Sequence, residues 1–95
     1  MISIAKNRTS SGTLALQTIT GAVAHFTTMA ATDTIELRKG GATGTVIATL
    51  QAPANNQSVP ISFTHPVQVN DETPTDVVYV KFNGSAAGDC SVYGV

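Results

Sequence analysis

The sequence predicts an all-β fold, a single-domain antiparallel β-sandwich or jelly roll of about eight short strands. The β-branched residues Val, Ile and Thr are abundant, whereas long helix-forming residues are scarce. Apolar and polar residues alternate with a period of two in several segments, the pattern of strands with one buried face. Turn-forming residues separate these segments at intervals of roughly 8 to 12 residues, which is typical of sandwiches.

The longest alternation runs from Val59 to Val69. The apolar residues of this segment share one face: Val59, Ile61, Phe63, Val67 and Val69. His65 is the single break in that face. Pro60 and Pro66 lack the backbone N–H that a central strand uses for pairing. We therefore predict an edge strand, or a strand that bends at His65–Pro66.

The first residues predict an N-terminal arm. Ile2 and Ile4 alternate with small residues, and a polar stretch from Lys6 to Gly12 follows. We interpret residues 1–12 as an arm or edge strand with a loop, and residues 13–95 as the β-sandwich domain. Exposed apolar residues on such an arm can add a strand to a neighbouring sheet, so Ile2 and Ile4 are the predicted interface residues.

Two apolar segments follow, Leu14–Thr20 and Ala22–Met29, separated by Gly21. Their threonines favour strands, although helical spacing also fits Leu14–Ala31. The next pair of strands, Asp33–Arg38 and Thr45–Leu50, flanks a glycine-rich connector and predicts a β-hairpin.

The last third of the chain begins with an acidic, turn-like stretch from Asn70 to Asp76. Two strands are predicted after it, Val77–Phe82 and Asp89–Val95, with a turn at Asn83–Gly84. The chain shows no internal repeat and no linker, so one domain is expected for its 95 residues.

Composition disfavours several classes of partner. Charged residues make up 12% of the chain and the net charge is -1, whereas soluble domains usually contain about 25% charged residues. The five cations are scattered, so we expect no nucleic-acid partner. No apolar run approaches the roughly 18 residues of a membrane span, and the N-terminus lacks a signal-peptide core. We expect no membrane contact. We also expect that the chain is synthesised in the cytoplasm.

No motif predicts catalysis, a cofactor or a metal. The glycine-rich Lys39–Gly44 lacks the helix and the terminal Lys-Ser/Thr of a P-loop, so a turn with positive φ is the better interpretation. Asp71, Glu72 and Asp76 could collect Ca²⁺ ligands, but their spacing fits no EF-hand, and a solvated acidic turn is the more frequent outcome.

The remaining candidates for chemistry are His25, His65 and Cys90, which could form a Cys-His dyad or a metal site. His25 lies in an apolar segment, so we predict that it is a buried or interface histidine. We interpret His65, which precedes Pro66, as a corner residue. Cys90 is the only cysteine, which excludes an internal disulfide.

Three segments and the end of the chain carry a family resemblance: Thr34–Leu50, Ile61–Val67, Val78–Gly84 and the terminal Cys-Ser-Val-Tyr. Over roughly residues 20–95 they resemble a group of small tailed-phage virion proteins, which share two hairpins around a Phe-x-x-Pro-Val strand. The chain departs from that pattern at Thr75–Val77, where those proteins usually carry a glycine.

The resemblance implies a non-enzymatic capsid decoration or cement protein, without cofactor. It further implies a virion location, the major capsid protein of the phage head as partner, and a homo-oligomer, often a trimer. Such a protein stabilises the assembled head because it binds only the assembled state. The alternative is a tail or fibre module that binds a host receptor.

Overall fold

The computed structural model describes residues 4–28, 33–51, 55–84 and 86–95. Eight strands and no helix are formed within these residues, which confirms the all-β prediction. The strands are β1 (Ile4–Arg8), β2 (Gly12–Leu14), β3 (Thr18–Thr28), β4 (Ile35–Lys39), β5 (Val46–Leu50), β6 (Gln57–Gln68), β7 (Val78–Phe82) and β8 (Ala87–Gly94).

The strands form two four-stranded sheets, in the orders β1-β8-β3-β6 and β2-β7-β4-β5. All pairings are antiparallel. The first strand pairs with the last, the second with the seventh, the third with the sixth and the fourth with the fifth, so the chain is one long hairpin rolled into two layers. This strand order is that of a jelly roll.

The core lies between the two sheets. Alternate residues of each strand point inward, as with Ala24 and Phe26 of β3, Leu37 of β4, Val80 of β7 and Val92 of β8, all of which are fully buried. Apolar side chains pack the two layers together, and the lone cysteine is free and adds no disulfide.

β6 lies at the edge of its sheet, as its prolines predict. Its pairing with β3 passes from Ile19↔Val67 to Gly21↔Ser62, so Phe63–Pro66 face the single residue Thr20. This bulge places the bend at the predicted His65–Pro66 position.

Several boundaries differ from the sequence prediction, as at the start of β6 (Gln57 rather than Val59) and of β8 (Ala87 rather than Asp89). β1 extends to Arg8, so the loop begins at Thr9 rather than at Lys6. β3 is one continuous strand through Gly21 and not two segments. A Cβ at Gly21 would lie 2.7 Å from the Ile61 carbonyl oxygen, so glycine is required there by the close approach of β6.

Candidate functional site

The N-terminal strand β1 forms the second edge of the sheet that ends in β6. It pairs with β8 from Ile4↔Gly94 to Arg8↔Cys90 without a register shift. None of its residues is buried, and none contributes to the core or packs against it. β1 is therefore held by its edge and its polar contacts rather than by apolar packing.

Ile4 is the most exposed large hydrophobic residue in the described part of the chain, at 48%. It lies directly opposite Gly94, which has no side chain to pack against it. Its predicted interface role stays a prediction, as does that of Ile2, which lies outside the described residues.

Asn7 fixes β1 to β8 through its side chain. Its Nδ2 donates to Ser91 Oγ at 2.9 Å and to Asp89 Oδ2 at 3.3 Å. Both acceptors belong to β8, and Ser91 is the direct register partner of Asn7. These two bonds therefore join strands and not neighbours along the chain.

Arg8 stabilises the connection between the two sheets instead. Its Nε donates to the Ser10 carbonyl at 2.9 Å and its Nη1 to the Thr13 carbonyl at 3.1 Å. A weaker contact joins Nη2 to the Ser11 carbonyl at 3.5 Å. The guanidinium thus holds the turn that carries the chain from β1 to β2.

Tyr93 is the most prominent side chain on the outer face of this sheet, 39% exposed. Its two register partners are Ala5 on β1 and Gly21 on β3. Because both partners are small, the ring stands above the face. Asn7 and Ser91 carry hydrogen-bonding groups in the next row of the same face.

His25 lies on the same outer face and is exposed, so the predicted buried position is wrong and its interface position stays a prediction. Its Nδ1 is 2.9 Å from Ser58 Oγ, and Asp89 is its register partner on β8. No catalytic triad results, since the described contacts place Asp89 against Asn7. The arrangement is a row of polar side chains across three strands.

The predicted chemical candidates are not brought together. His65 lies exposed at the bend of β6, and Cys90 faces the core on β8. Burial raises the pKa of the Cys90 thiol to about 12, and the charge of Asp89 adds to this shift. Such a thiol is protonated at neutral pH and is a poor nucleophile.

The acidic loop is closed by Lys39. Its Nζ lies 2.7 Å from Asp71 Oδ1 and 4.0 Å from Glu72 Oε1. Gln17 secures the same loop by donating from Nε2 to the carbonyls of Pro74 and Asp76. An ammonium group therefore occupies the place where the carboxylates would collect a cation. Within the described residues, no group of three His, Cys, Asp or Glu is placed to hold a metal ion.

No family model, no curated protein and no solved structure matches the chain. No helix of the described residues is long and apolar enough to cross a membrane. The class that the fold defines is a small jelly-roll β-sandwich. Its most distinctive site is the β1–β8 edge, with Ile4 on one side of the sheet and Tyr93 on the other.

Sequence reasoning pointed to Ile4 at this edge but missed Asn7, Arg8 and Tyr93. A signal for Tyr93 was present, because alternation in the last strand places Ser91 and Tyr93 on the face opposite Cys90 and Val92. Asn7 and Arg8 gave no such signal, since a polar edge strand has no apolar period.

Proposed function

We propose that this protein is a non-enzymatic capsid decoration protein that binds the assembled head of a tailed phage and stabilises it. The observation that carries the proposal is the β1–β8 edge. Of the three large hydrophobic side chains exposed in the described residues, Ile4 and Tyr93 lie on these two adjacent strands. An edge strand with exposed apolar residues is a site for docking another protein.

The two edges of this sheet differ in a way that supports docking at β1. β6 carries Pro60 and Pro66 and a bulge, all of which oppose pairing with another strand. β1 has neither a proline nor a bulge. In the registers of a β1–β1 pair that place Lys6 opposite Lys6 or Arg8, like charges would face each other, so a neutral or acidic strand of a different protein fits better.

The energetics of decoration suit a small, weakly charged module. Burying the exposed part of Ile4 is worth about 1 kcal/mol, which is modest for one site. The decoration protein binds only the assembled shell, so each bound copy adds its binding free energy to the stability of that shell. Repetition over many sites makes the sum large. A net charge of -1 opposes crowding on a surface very little.

The test is cosedimentation with shells assembled from the major capsid protein of the same phage. We expect saturable binding of the purified protein to shells, and none to unassembled capsid protein. Ile4→Asp should weaken shell binding about tenfold or more, since it would bury an unpaired charge. His65→Ala, an exposed change at the other edge, is the matched control and should bind normally. Absence of shell binding by the wild-type protein would contradict the proposal.

One observation favours the alternative, a tail or fibre module that binds a host receptor. Tyr93 presents an exposed ring with Asn7 and Ser91 beside it, and a ring among hydrogen-bonding groups suits a polar ligand such as a glycan. Binding to host cells that is lost in Tyr93→Ala, with no binding to shells, would support this alternative over decoration.

A further inference from the structure

We propose that β1 is an exchangeable strand, and that copies of this chain link when β1 of one copy pairs with β8 of another. The partner is thus a second copy of the same chain, bound by strand exchange at the β1–β8 edge. The inference rests on the proposed function for its setting, because subunits crowded on a shell have a high effective concentration.

The first argument is that β1 can leave without disturbing the core. Its burial pattern contains no buried residue, and the core cluster includes none of its side chains. Detachment of β1 therefore removes no side chain from the core. Segments of this kind open with much lower free energy than the whole domain.

The second argument is that the contacts of β1 fall into two sets. The backbone ladder and the Asn7 bonds to Asp89 and Ser91 join β1 to β8. A β1 strand from another copy can form all of them again in the same register. Only the Arg8 bonds to its own turn depend on β1 and the turn belonging to the same copy. Exchange therefore breaks the Arg8 bonds, whereas the contacts with β8 form again.

The third argument concerns the strand left behind. β8 carries the buried side chains of Cys90 and Val92 and contains no proline. Without β1, it would present a regular unprotected edge, which is prone to pair with another chain. β1 is the sequence that the structure shows to fit this edge, so a second β1 is the occupant with the best complementarity.

A detached β1 stays tethered to its own domain through the turn at Thr9–Ser11. Residues 4–11, fully extended, span about 26 Å, so the strand can extend to a second copy that lies against this edge. The turn of Thr9–Ser11 is exposed and short, and short hinges favour exchange of the element that they carry. Exchange also leaves the outer side of β1 unpaired, so the docking edge proposed above is kept.

The test uses cross-linking between two single variants, Asn7→Cys and Ser91→Cys. The two residues are direct register partners and their side chains touch, and the native thiol of Cys90 is buried. The two chains are unfolded together in denaturant, refolded at high protein concentration and oxidised. Reciprocal exchange places about half of the chains in mixed dimers, which then become covalent.

Two controls make the result decisive. His25→Cys mixed with Ser58→Cys tests a register pair of β3 and β6, two strands that do not exchange, and it should give only collisional dimers. The double variant Asn7→Cys/Ser91→Cys, oxidised at low concentration, should form an internal disulfide, which shows that β1 still pairs with β8. A disulfide within the double variant, with mixed dimers no more abundant than in the His25/Ser58 control, would overturn the proposal.

This experiment contains no capsid protein, so its result is independent of shell binding. Covalent mixed dimers without shell binding would retain the exchange and reject decoration. Shell binding without mixed dimers would do the reverse.

Discussion

The guanidinium of Arg8 lies over Gly12, in the space that a side chain at residue 12 would occupy. A Cβ at Gly12 would overlap Arg8 Cζ, and Nε would be only 2.8 Å away. Glycine at this position therefore allows Arg8 to reach the carbonyls of the turn between β1 and β2. The same contact contributes to the attachment of β1, beside its ladder with β8.

Gly12→Ala should displace the Arg8 side chain and loosen this turn. Because the end of a flexible side chain can move aside, we expect the free energy of unfolding to fall by about 1 kcal/mol or less. Local opening should rise by about fivefold, which proteolysis at Thr9–Ser11 measures. Gly41→Ala is the control, since nothing lies within 4 Å of its Cβ position, and its cleavage rate should equal that of the wild type. Equal rates for both variants would contradict the role of Arg8.

Gly94→Ala should destabilise the domain strongly. The new Cβ would overlap the Thr18 carbonyl oxygen and lie 2.9 Å from Ile19 Cα. These are backbone atoms of β3, which cannot move without separating the central strands of the sheet. We expect a loss of about 3 kcal/mol by urea denaturation. A loss no larger than that of Gly41→Ala would show that the two strands can move apart.

The ion pair between Lys39 and Asp71 predicts a pH dependence. The hydrogen bond from Lys39 lowers the pKa of Asp71 below 3.8, and the same bond raises the pKa of Lys39 above 10.5. The contribution of Asp71 is complete above its unfolded pKa and is lost as pH falls through its folded pKa. That of Lys39 is complete below its unfolded pKa and is lost as pH rises through its folded pKa.

Asp71→Asn should therefore unfold at lower urea concentration than the wild type at neutral pH, and the two midpoints should converge in acid. Lys39 loses its main partner in the variant, so the stability that the protein loses at alkaline pH should be smaller than in the wild type. Glu72→Gln, 4.0 Å from the same Nζ, is the control and should show a smaller difference. A constant offset between wild type and Asp71→Asn at every pH would refute the assignment.

Asn83, directly after β7, supports a second carboxylate, that of Glu36 on the neighbouring strand β4. Its Nδ2 donates to Glu36 Oε1 at 2.8 Å and to Thr34 Oγ1 at 3.0 Å. This bond is the main cause that lowers the pKa of Glu36 below 4.5. Arg38 also donates to the same oxygen, so the carboxylate is held ionised from two sides.

Asn83→Asp should remove a donor from Glu36 and place a like charge beside it. We expect a loss of about 1–3 kcal/mol at neutral pH. Wild-type stability from Glu36 falls with falling pH, because its folded pKa is lowered, whereas the deficit of the variant should shrink in acid as one carboxyl is protonated. Gln57→Glu adds the same charge at an exposed position on β6 and should cause no comparable loss in urea denaturation at pH 7.

Pro60 and Pro66 predicted an edge position or a bend for β6, because a residue without a backbone N–H fits few positions in a sheet. The structure has β6 at the edge, with a bulge at His65–Pro66. The connector between β4 and β5 was equally predictable, and Gly40 adopts the expected positive φ of 80°. Local patterns of this kind depend on residues within one strand or turn, which is why sequence alone is sufficient for them.

The site was less predictable because its contacts join distant parts of the chain. Asn7 meets Asp89 across the sheet, and no local pattern predicts which strands become neighbours. Gly21 was predicted to separate two strands because glycine weakens strands in general. Its actual reason, the carbonyl of Ile61, appears only once β6 is placed beside β3.

The position of β8 between β1 and β3 sets the order in which the molecule can fold. β4 and β5 are neighbours along the chain, so their hairpin closes with little loss of chain entropy. β8 is synthesised last among the strands, yet it joins β1 to the rest of its sheet. That sheet therefore cannot be completed until β8 (Ala87–Gly94) has been synthesised. Folding that depends on such non-local pairing is slow. In the meantime β3 lacks its central neighbour β8, and the apolar face of β3 and β6 lacks the part of the opposite sheet that β7 later completes.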